Sequence, residues 1–566
     1  MHLTIGVTGH RDLLEEEIPE LKKLVCEFFH KLRKDYPDLD LQLITPLAEG
    51  SDRLVTDVAL EMGIELIVPL PMPQADYEKD FSSPAAVEEF RSSLARARVI
   101  HLRTVPDNAH GMVTEADRVR QYAQLGIFIS NHSQILLALW DGKPSKATGG
   151  TASVVNYHLT AVMPGFSLAE ESPNLLADNE NDLAYHIVCS RDRINGSTRE
   201  GLQPLQSRWI TAHYGLESND KMPLDYDIML HRLEDFSRDR CKYEKFISQE
   251  GADLLADAPD YKLPEGTRAI SENHRIADWL AIHFQKRISL GLIAVHSMAV
   301  LIGLIFIIYS EFDGLDFLVN IFLFAFIAGF LLYKIGEHRQ WHRKHLDYRA
   351  LAEGLRVQFY WSLAGVIDTQ SAEFAYDNFL QKQDVDLGWI RHVMRNVSLA
   401  RSRDETPAEE WVEWVIEQWV GDEEGQTGQL SYYHSKELEK TKRFKRTTNL
   451  GRIALIMGIL IALLLAFLGS HMSEAQHKLL LILMGIFPLI AGVRDAYSHK
   501  KAEKELIKQY RFMRGVLANA RRLLDGSDDP AFRRRVLRAL GTAALEEDAE
   551  WILMHRERPL EHTGIS

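Results

Sequence analysis

Four long apolar segments in the second half of the chain limit its fold more than any other feature. Ile288–Tyr309 contains no Asp, Glu, Lys or Arg and a single histidine, His296. Phe317–Tyr333, Ile453–Leu468 and Leu479–Val493 carry no charged residue at all. Each approaches the roughly 17–25 residues, flanks included, that a helix needs to cross a bilayer core. They fall into two closely spaced pairs, which predicts an α-helical membrane region of four transmembrane helices arranged as two hairpins. Lys286 and Arg287 precede the first segment, and Lys334, Arg339, Arg343 and Lys344 follow the second. Lys442, Arg443, Lys445 and Arg446 precede the third, and Lys500, Lys501 and Lys504 follow the fourth. The links Ser310–Asp316 and Gly469–His477 contain no Lys or Arg. By the positive-inside rule the links face outward. The expectation is a multi-pass inner-membrane protein with both termini cytoplasmic and the lipid bilayer as a partner.

At 566 residues the chain is too long for one core, so several domains are expected. A formal net charge of −15 argues against nucleic acid as a general partner. Three scattered cysteines, Cys26, Cys189 and Cys241, fit a reducing compartment without a disulfide framework. The first residues lead directly into the apolar run Leu3–Val7, so no cleavable signal peptide is expected. Residues 1–165 alternate short apolar runs (Leu3–Val7, Leu41–Ile44, Leu66–Leu70, Val99–Leu102, Ile135–Leu139) with helical periodicity over Ile18–Lys34, Ser51–Met62, Pro84–Arg96 and Glu115–Asn131. That alternation predicts an α/β, doubly wound parallel sheet, whose ligands sit beyond the carboxyl ends of the strands.

Three turns at those ends carry glycine together with charge. Thr8-Gly9-His10-Arg11 ends the first strand. Pro46–Arg53 links the second strand to a helix opening at Ser51, with Glu49, Gly50, Asp52 and Arg53 in the turn. Asp141 and Gly142 follow the last strand, and Gly149-Gly150-Thr151 opens the next helix. Free N–H groups at helix starts suit anions. Arg11 and Arg53 have two readings, a phosphate or a local carboxylate such as Asp12 or Asp52. Glu49 suits ribose hydroxyls. Asp52 equally suits the positive end of the helix dipole, Ser51 an N-cap and Asp141 a turn.

Gly6–Arg11, Pro46–Arg53, and Leu137–Asp141 with Gly149–Thr151 together resemble the SLOG superfamily of Rossmann-like nucleotide-binding domains, in its branch shared with TRPM channels. The resemblance covers about the first 165 residues. It implies a nucleotide-derived ligand held by the three turns and no separate cofactor. The phosphoribohydrolase branch carries Pro-Gly-Gly-x-Gly-Thr-x-x-Glu. With Thr151 on its threonine, the glutamate position holds Val154 and the proline position is not proline. Binding without cleavage is therefore expected.

Residues 166–285 read as a mostly helical connector, with helices over Ile228–Ser248 and Ala269–Lys286. An offset of 162 residues superimposes Ile288 on Leu450, Tyr348 on Tyr510, Arg349 on Arg511 and Leu355 on Leu517. Each copy is a two-span hairpin (286–366 and 441–526) ending in a long helix, Arg339–Trp361 or Lys500–Leu524, expected to be continuous with its span. This unit resembles the SLATT class of membrane domains, which implies an oligomeric membrane effector in nucleotide-triggered bacterial defence. Residues 367–440 form a helical insert and 527–566 a helical tail. Trp411, Trp414 and Trp419 lie in a helix behind Thr406-Pro407, with two readings, on the membrane or packed under the first domain, of which packing is the expected one. His338, His342 and His345 read as a headgroup-level belt, with metal ligation as the alternative. His296 and Asn320, polar groups inside the spans, are candidates for a lumen or for a bond between helices. The expected function is a nucleotide sensor joined to a homo-oligomeric membrane pore. A membrane-anchored enzyme that cleaves nucleotides is the alternative.

Overall fold

The computed structural model describes residues 1–105, 108, 114–145, 147–163, 182–212, 217–264, 266–312, 314–366, 379, 385–399, 409–425 and 427–556. The chain folds as two compact units. The first comprises residues 1–255, 260–274 and 354–407, and the second 256–259, 275–353 and 408–566.

The first unit is built on an eight-stranded sheet in the order β4-β3-β2-β1-β5-β6-β7-β8. Its strands are β1 (His2–Gly9), β2 (Asp40–Ile44), β3 (Glu65–Leu70), β4 (Arg98–His101), β5 (Ile135–Trp140), β6 (Ala184–Val188), β7 (Ser207–Thr211) and β8 (Glu217–Asn219). All pairs up to β5–β6 are parallel, and β7 and β8 add antiparallel. The intervening helices are α1 (Ile18–Asp35), α2 (Ser51–Glu61), α3 (Gln74–Tyr77), α4 (Pro84–Leu94), α5 (Glu115–Asn131) and α6 (Thr151–Thr160). Leu136 and Ala138 join the core made with α5 and α6, while Ile135, Leu137 and Leu139 are equally buried on the opposite face of β5. A strand covered on both sides reads as a continuous apolar run, as Ile135–Leu139 does.

The strand order reverses between β1 and β5, and this switch point is where the doubly wound fold leaves a crevice. The sheet also extends past residue 165, because β6–β8 lie in the stretch read as a helical connector. Those strands have 5, 5 and 3 residues and sit among polar loops, too short to give a clear period. The same unit includes α7 (Leu224–Glu250) and, after the stretch around 380, α11 (Gly388–Ser398), whose Asn396 Nδ2 donates to Thr4 Oγ1 at 3.0 Å.

The remaining helices are α8 (Thr267–Glu311), α9 (Phe317–His338), α10 (Trp341–Ala364), α12 (Glu410–Val415), α13 (Gly428–Leu468), α14 (Glu474–Lys500), α15 (Glu503–Asp525) and α16 (Pro530–Arg556). Four of them contain segments long and apolar enough to cross a membrane: α8, α9, α13 and α14. In the second unit Gly485 lies against Ile307, and Gly458 against the Pro488 ring, so α14 packs on both α8 and α13 through small residues. The long helices after the second and fourth spans are not continuous with them. Gln340, at φ 49°, separates α9 from α10, and Ala502, at φ 47°, separates α14 from α15. Neither break has a glycine or proline to announce it. They fall 162 residues apart, the same offset that aligns the two hairpins in sequence. Trp411, Trp414 and Trp419 are buried.

Candidate functional site

A cavity of about 620 Å³ opens at the carboxyl ends of β1, β2 and β5, within the first unit. Three of its sides come from Thr8–Asp12, from Trp140, Asp141 and Lys143, and from Gly149–Ala152 with Val154. Pro46, Ala48 and Asp52 contribute from the second strand's turn. Tyr77 of α3 and Tyr122 of α5 form an aromatic wall, and Arg191 and Arg193 follow β6.

The turn before α6 is the open part of this site. Gly149 takes φ 76°, a left-handed conformation that leads the chain into the helix. Gly150 is the N-cap, and a Cβ built there would meet nothing closer than Ala147 O at 3.9 Å. The amides of Ser153 and Val154 donate to Gly150 O at 3.0 Å, and the Thr151 hydroxyl to Gly9 O at 2.8 Å. Among the described residues the amides of Thr151 and Ala152 have no protein acceptor. Two unsatisfied donors at the positive end of a ten-residue helix, lining a cavity, fit an anion.

The turn before α2 is closed. Gly50 takes φ 83° and packs so tightly on Arg11 that a Cβ there would collide with the Arg11 backbone. Ser51 is the first helical residue and fully buried, and its amide and hydroxyl both donate to His10 O, at 3.0 and 2.8 Å. The cap is therefore Gly50, where the sequence suggested Ser51. Arg53 donates to Glu89 Oε2 at 2.8 Å and stacks over Phe81 at 4.8 Å, and Glu49 accepts from Ser82 Oγ at 2.6 Å. Glu49, Gly50, Ser51 and Arg53 do not line the cavity, and neither does Gly142, which packs under Leu202. Of the two readings of Arg53, the local carboxylate is the one seen, with Glu89 as partner, and Glu49 is engaged by Ser82. Both side chains reach sideways toward α4 because the helix start is locked against β1.

The residues brought together at the cavity are Gly9, His10, Arg11, Asp52, Asp141, Gly149, Gly150 and Thr151. His10 is 7% exposed; its Nε2 accepts the Asp141 amide at 3.1 Å and lies 3.3 Å from Asp141 Oδ1. Burial lowers its pKa, against the attraction of Asp141, and so favours the neutral imidazole. Arg11 is exposed, lies 5.9 Å above the Tyr122 ring, and forms no ion pair among the described residues. Asp52 is 5% exposed and burial pushes its pKa up to about 7, opposed by Arg11, the Ala48 amide and Arg53. Asp12 pairs with Arg191 at 2.8 Å. Val154, in the position where a hydrolase glutamate was sought, lines the cavity floor.

Sequence reasoning missed Tyr77, Tyr122, Lys143, Arg191 and Arg193. The run Arg191-Asp192-Arg193 was a usable signal once β6 was recognised, since it occupies the carboxyl end of another parallel strand. Tyr77 and Tyr122 carry no such signal. In the second unit, His296 Nδ1 hydrogen-bonds Leu292 O at 2.8 Å and its ring meets Tyr497 edge-on. Asn320 is exposed three residues into α9, while His296 lies fifteen residues before the end of α8. Roughly 18 Å of helix rise separates their levels, so the two lumen candidates do not meet. His342 and His345 hydrogen-bond the carbonyls of His555 and Ala281, and no cluster fit for a metal occurs among the described residues. The chain matches no family model, no curated protein and no solved structure.

Proposed function

We propose that the first unit binds a nucleotide-derived anion and that this binding controls the membrane-spanning helices, making the chain a ligand-gated membrane effector. The observation that carries the reading is the pair of amides at Thr151 and Ala152 without a protein acceptor among the described residues, facing a cavity of about 620 Å³ together with Arg11, a cation with no ion pair among those residues. A phosphate takes the helix start and Arg11, and the tyrosines offer a face for a base. The site would bind without cleaving, since Val154 supplies no carboxylate where the related hydrolases place theirs. Four spans make a narrow bundle, so a conducting form needs several copies of the chain, and bacterial defence is the setting that suits a membrane-damaging response. The basic flanks favour both termini on the cytoplasmic side of an inner membrane.

A second reading, a membrane-anchored nucleotide-cleaving enzyme, is favoured by Asp52, whose pKa near 7 suits proton transfer in the same cavity. One experiment separates the two. The full chain, in detergent and in liposomes, is incubated with NAD, ADP-ribose and cyclic nucleotides, scoring thermal shift, turnover and ion leakage. Stabilisation following RT ln(1 + [L]/Kd), with leakage and no turnover, supports the sensor. Released base or ribose phosphate supports the enzyme, and leakage indifferent to every nucleotide that binds removes the effector.

A further inference from the structure

Three carboxylates line the cavity, and two are committed. Asp12 is paired with Arg191, and Asp141 Oδ1 accepts the Lys143 amide at 3.0 Å beside His10. Asp52 forms no ion pair among the described residues, although it is 5% exposed. The groups that face it are Arg11 from the turn after β1, Tyr77 from α3, the Ala48 amide and, from its own helix, Arg53, while Tyr122 of α5 faces Arg11. Most of these are engaged elsewhere. Arg53 is held by Glu89, the Tyr77 hydroxyl donates to Pro46 O at 3.1 Å, and the Tyr122 hydroxyl donates to Asp80, which also pairs with Arg118. Asp52, which accepts the Ala48 amide, and Arg11, which bonds Tyr122, are left as the opposed charges of the cavity that form no ion pair among the described residues.

Resting on the reading that this cavity takes a nucleotide, we propose that Asp52 is its specificity-determining residue. As a carboxylate it accepts ligand hydroxyls and repels phosphate; as a carboxylic acid it admits phosphate beside Arg11. Phosphate binding therefore carries a proton into the site. The balance is simple: one proton moves from solvent to an Asp52 oxygen, and no bond of the ligand changes. Burial supports the two-state behaviour, since it places the Asp52 midpoint at about 7 and makes both forms abundant at neutral pH. An incoming anion raises that midpoint further, so affinity for phosphate-bearing ligands falls as pH rises through 7.

The test is calorimetry of the full chain in detergent between pH 6 and 8, in buffers of different ionisation enthalpy. The probes are NAD, whose phosphates do not titrate in that range, and adenosine, which has the hydroxyls without phosphate. NAD should take up about half a proton per site at pH 7, with Kd weakening toward tenfold per unit above it. Adenosine should take up none. In Asp52→Asn, NAD binding should lose both the uptake and the pH dependence. NAD binding without uptake in the wild type overturns the proposal, as does uptake that persists in Asp52→Asn, which would assign the proton to His10. The wild-type profile tests the idea even if that variant fails to fold. A chain that binds neither probe at any pH overturns the nucleotide reading itself.

Discussion

The turns before α2 and before α6 look alike in sequence, each a strand end, a glycine and a hydroxyl residue opening a helix, yet they do different work. Before α6, a Cβ at Gly150 would face open space and two amides are unsatisfied. Before α2, a Cβ at Gly50 would strike backbone, and Ser51 spends both its donors on His10 O. The difference lies in where each helix start sits relative to β1. The α2 start is pressed into the β1 turn by the absence of side chains at Gly9 and Gly50, whereas α6 stands off from it and touches it through one hydroxyl. A glycine beside a helix start makes an anion site only when the space it opens is left unfilled.

The largest expected effects exchange the two glycines. Gly50→Ala should cost about 4 kcal/mol or more of stability, combining an unfavourable φ with backbone overlap. Gly150→Asp should leave thermal unfolding nearly unchanged while lowering nucleotide affinity by about a thousandfold, since a carboxylate then occupies the anion position. Calorimetric unfolding and binding measured on both variants check the contrast, and equal effects of the two would erase it.

Asp52 sharpens the comparison, being the α2 residue that reaches the cavity. Its folded pKa, about 7, lies above the ordinary carboxylate value, so its stabilising contribution is complete at low pH and is lost as pH rises through 7. Asp52→Asn should therefore raise stability by about 4 kcal/mol at pH 8, by about 1.5 kcal/mol at pH 5 and by almost nothing at about pH 3. Melting curves across that range decide it, and a gain independent of pH would contradict the assignment.

The two arginines come next. Arg11→Ala should weaken binding about tenfold to a hundredfold with the fold intact, as loss of a charge-assisted bond to phosphate does. Arg53→Ala should leave affinity within about threefold and cost about 1–2 kcal/mol of stability, because it removes the partly buried pair with Glu89 and the Phe81 contact. The smallest effect belongs to Glu49→Gln, which exposes no new charge and should shift affinity by less than about twofold. A large loss of binding at Glu49 would restore it as a ligand carboxylate.

The strands and helices that carry both a strong period and a well-marked boundary were legible: Leu3–Val7, Ile135–Leu139 and Glu115–Asn131 lie where their patterns place them. The four apolar helices were plainer still. Glycine and charge at strand ends located the crevice but not its walls. Tyr77 and Tyr122 reach it through the packing of α3 and α5, which no local spacing encodes. The partners of Arg53 and Glu49, Glu89 and Ser82, were not legible because they come from a later helix and loop. The breaks at Gln340 and Ala502 were invisible because neither residue favours a left-handed backbone; their common offset shows in the folded chain alone.

Amide hydrogen exchange on the full chain, with and without saturating NAD, tests the central claim most directly. The account predicts slowed exchange over Gly149–Val154 and Gly9–Arg11, where the ligand meets the α6 start, and no change over Glu49–Ser51, which do not line the cavity and where Ser51 already spends its donors on His10 O. Protection of the Glu49–Ser51 turn with Gly149–Val154 unaffected would contradict it.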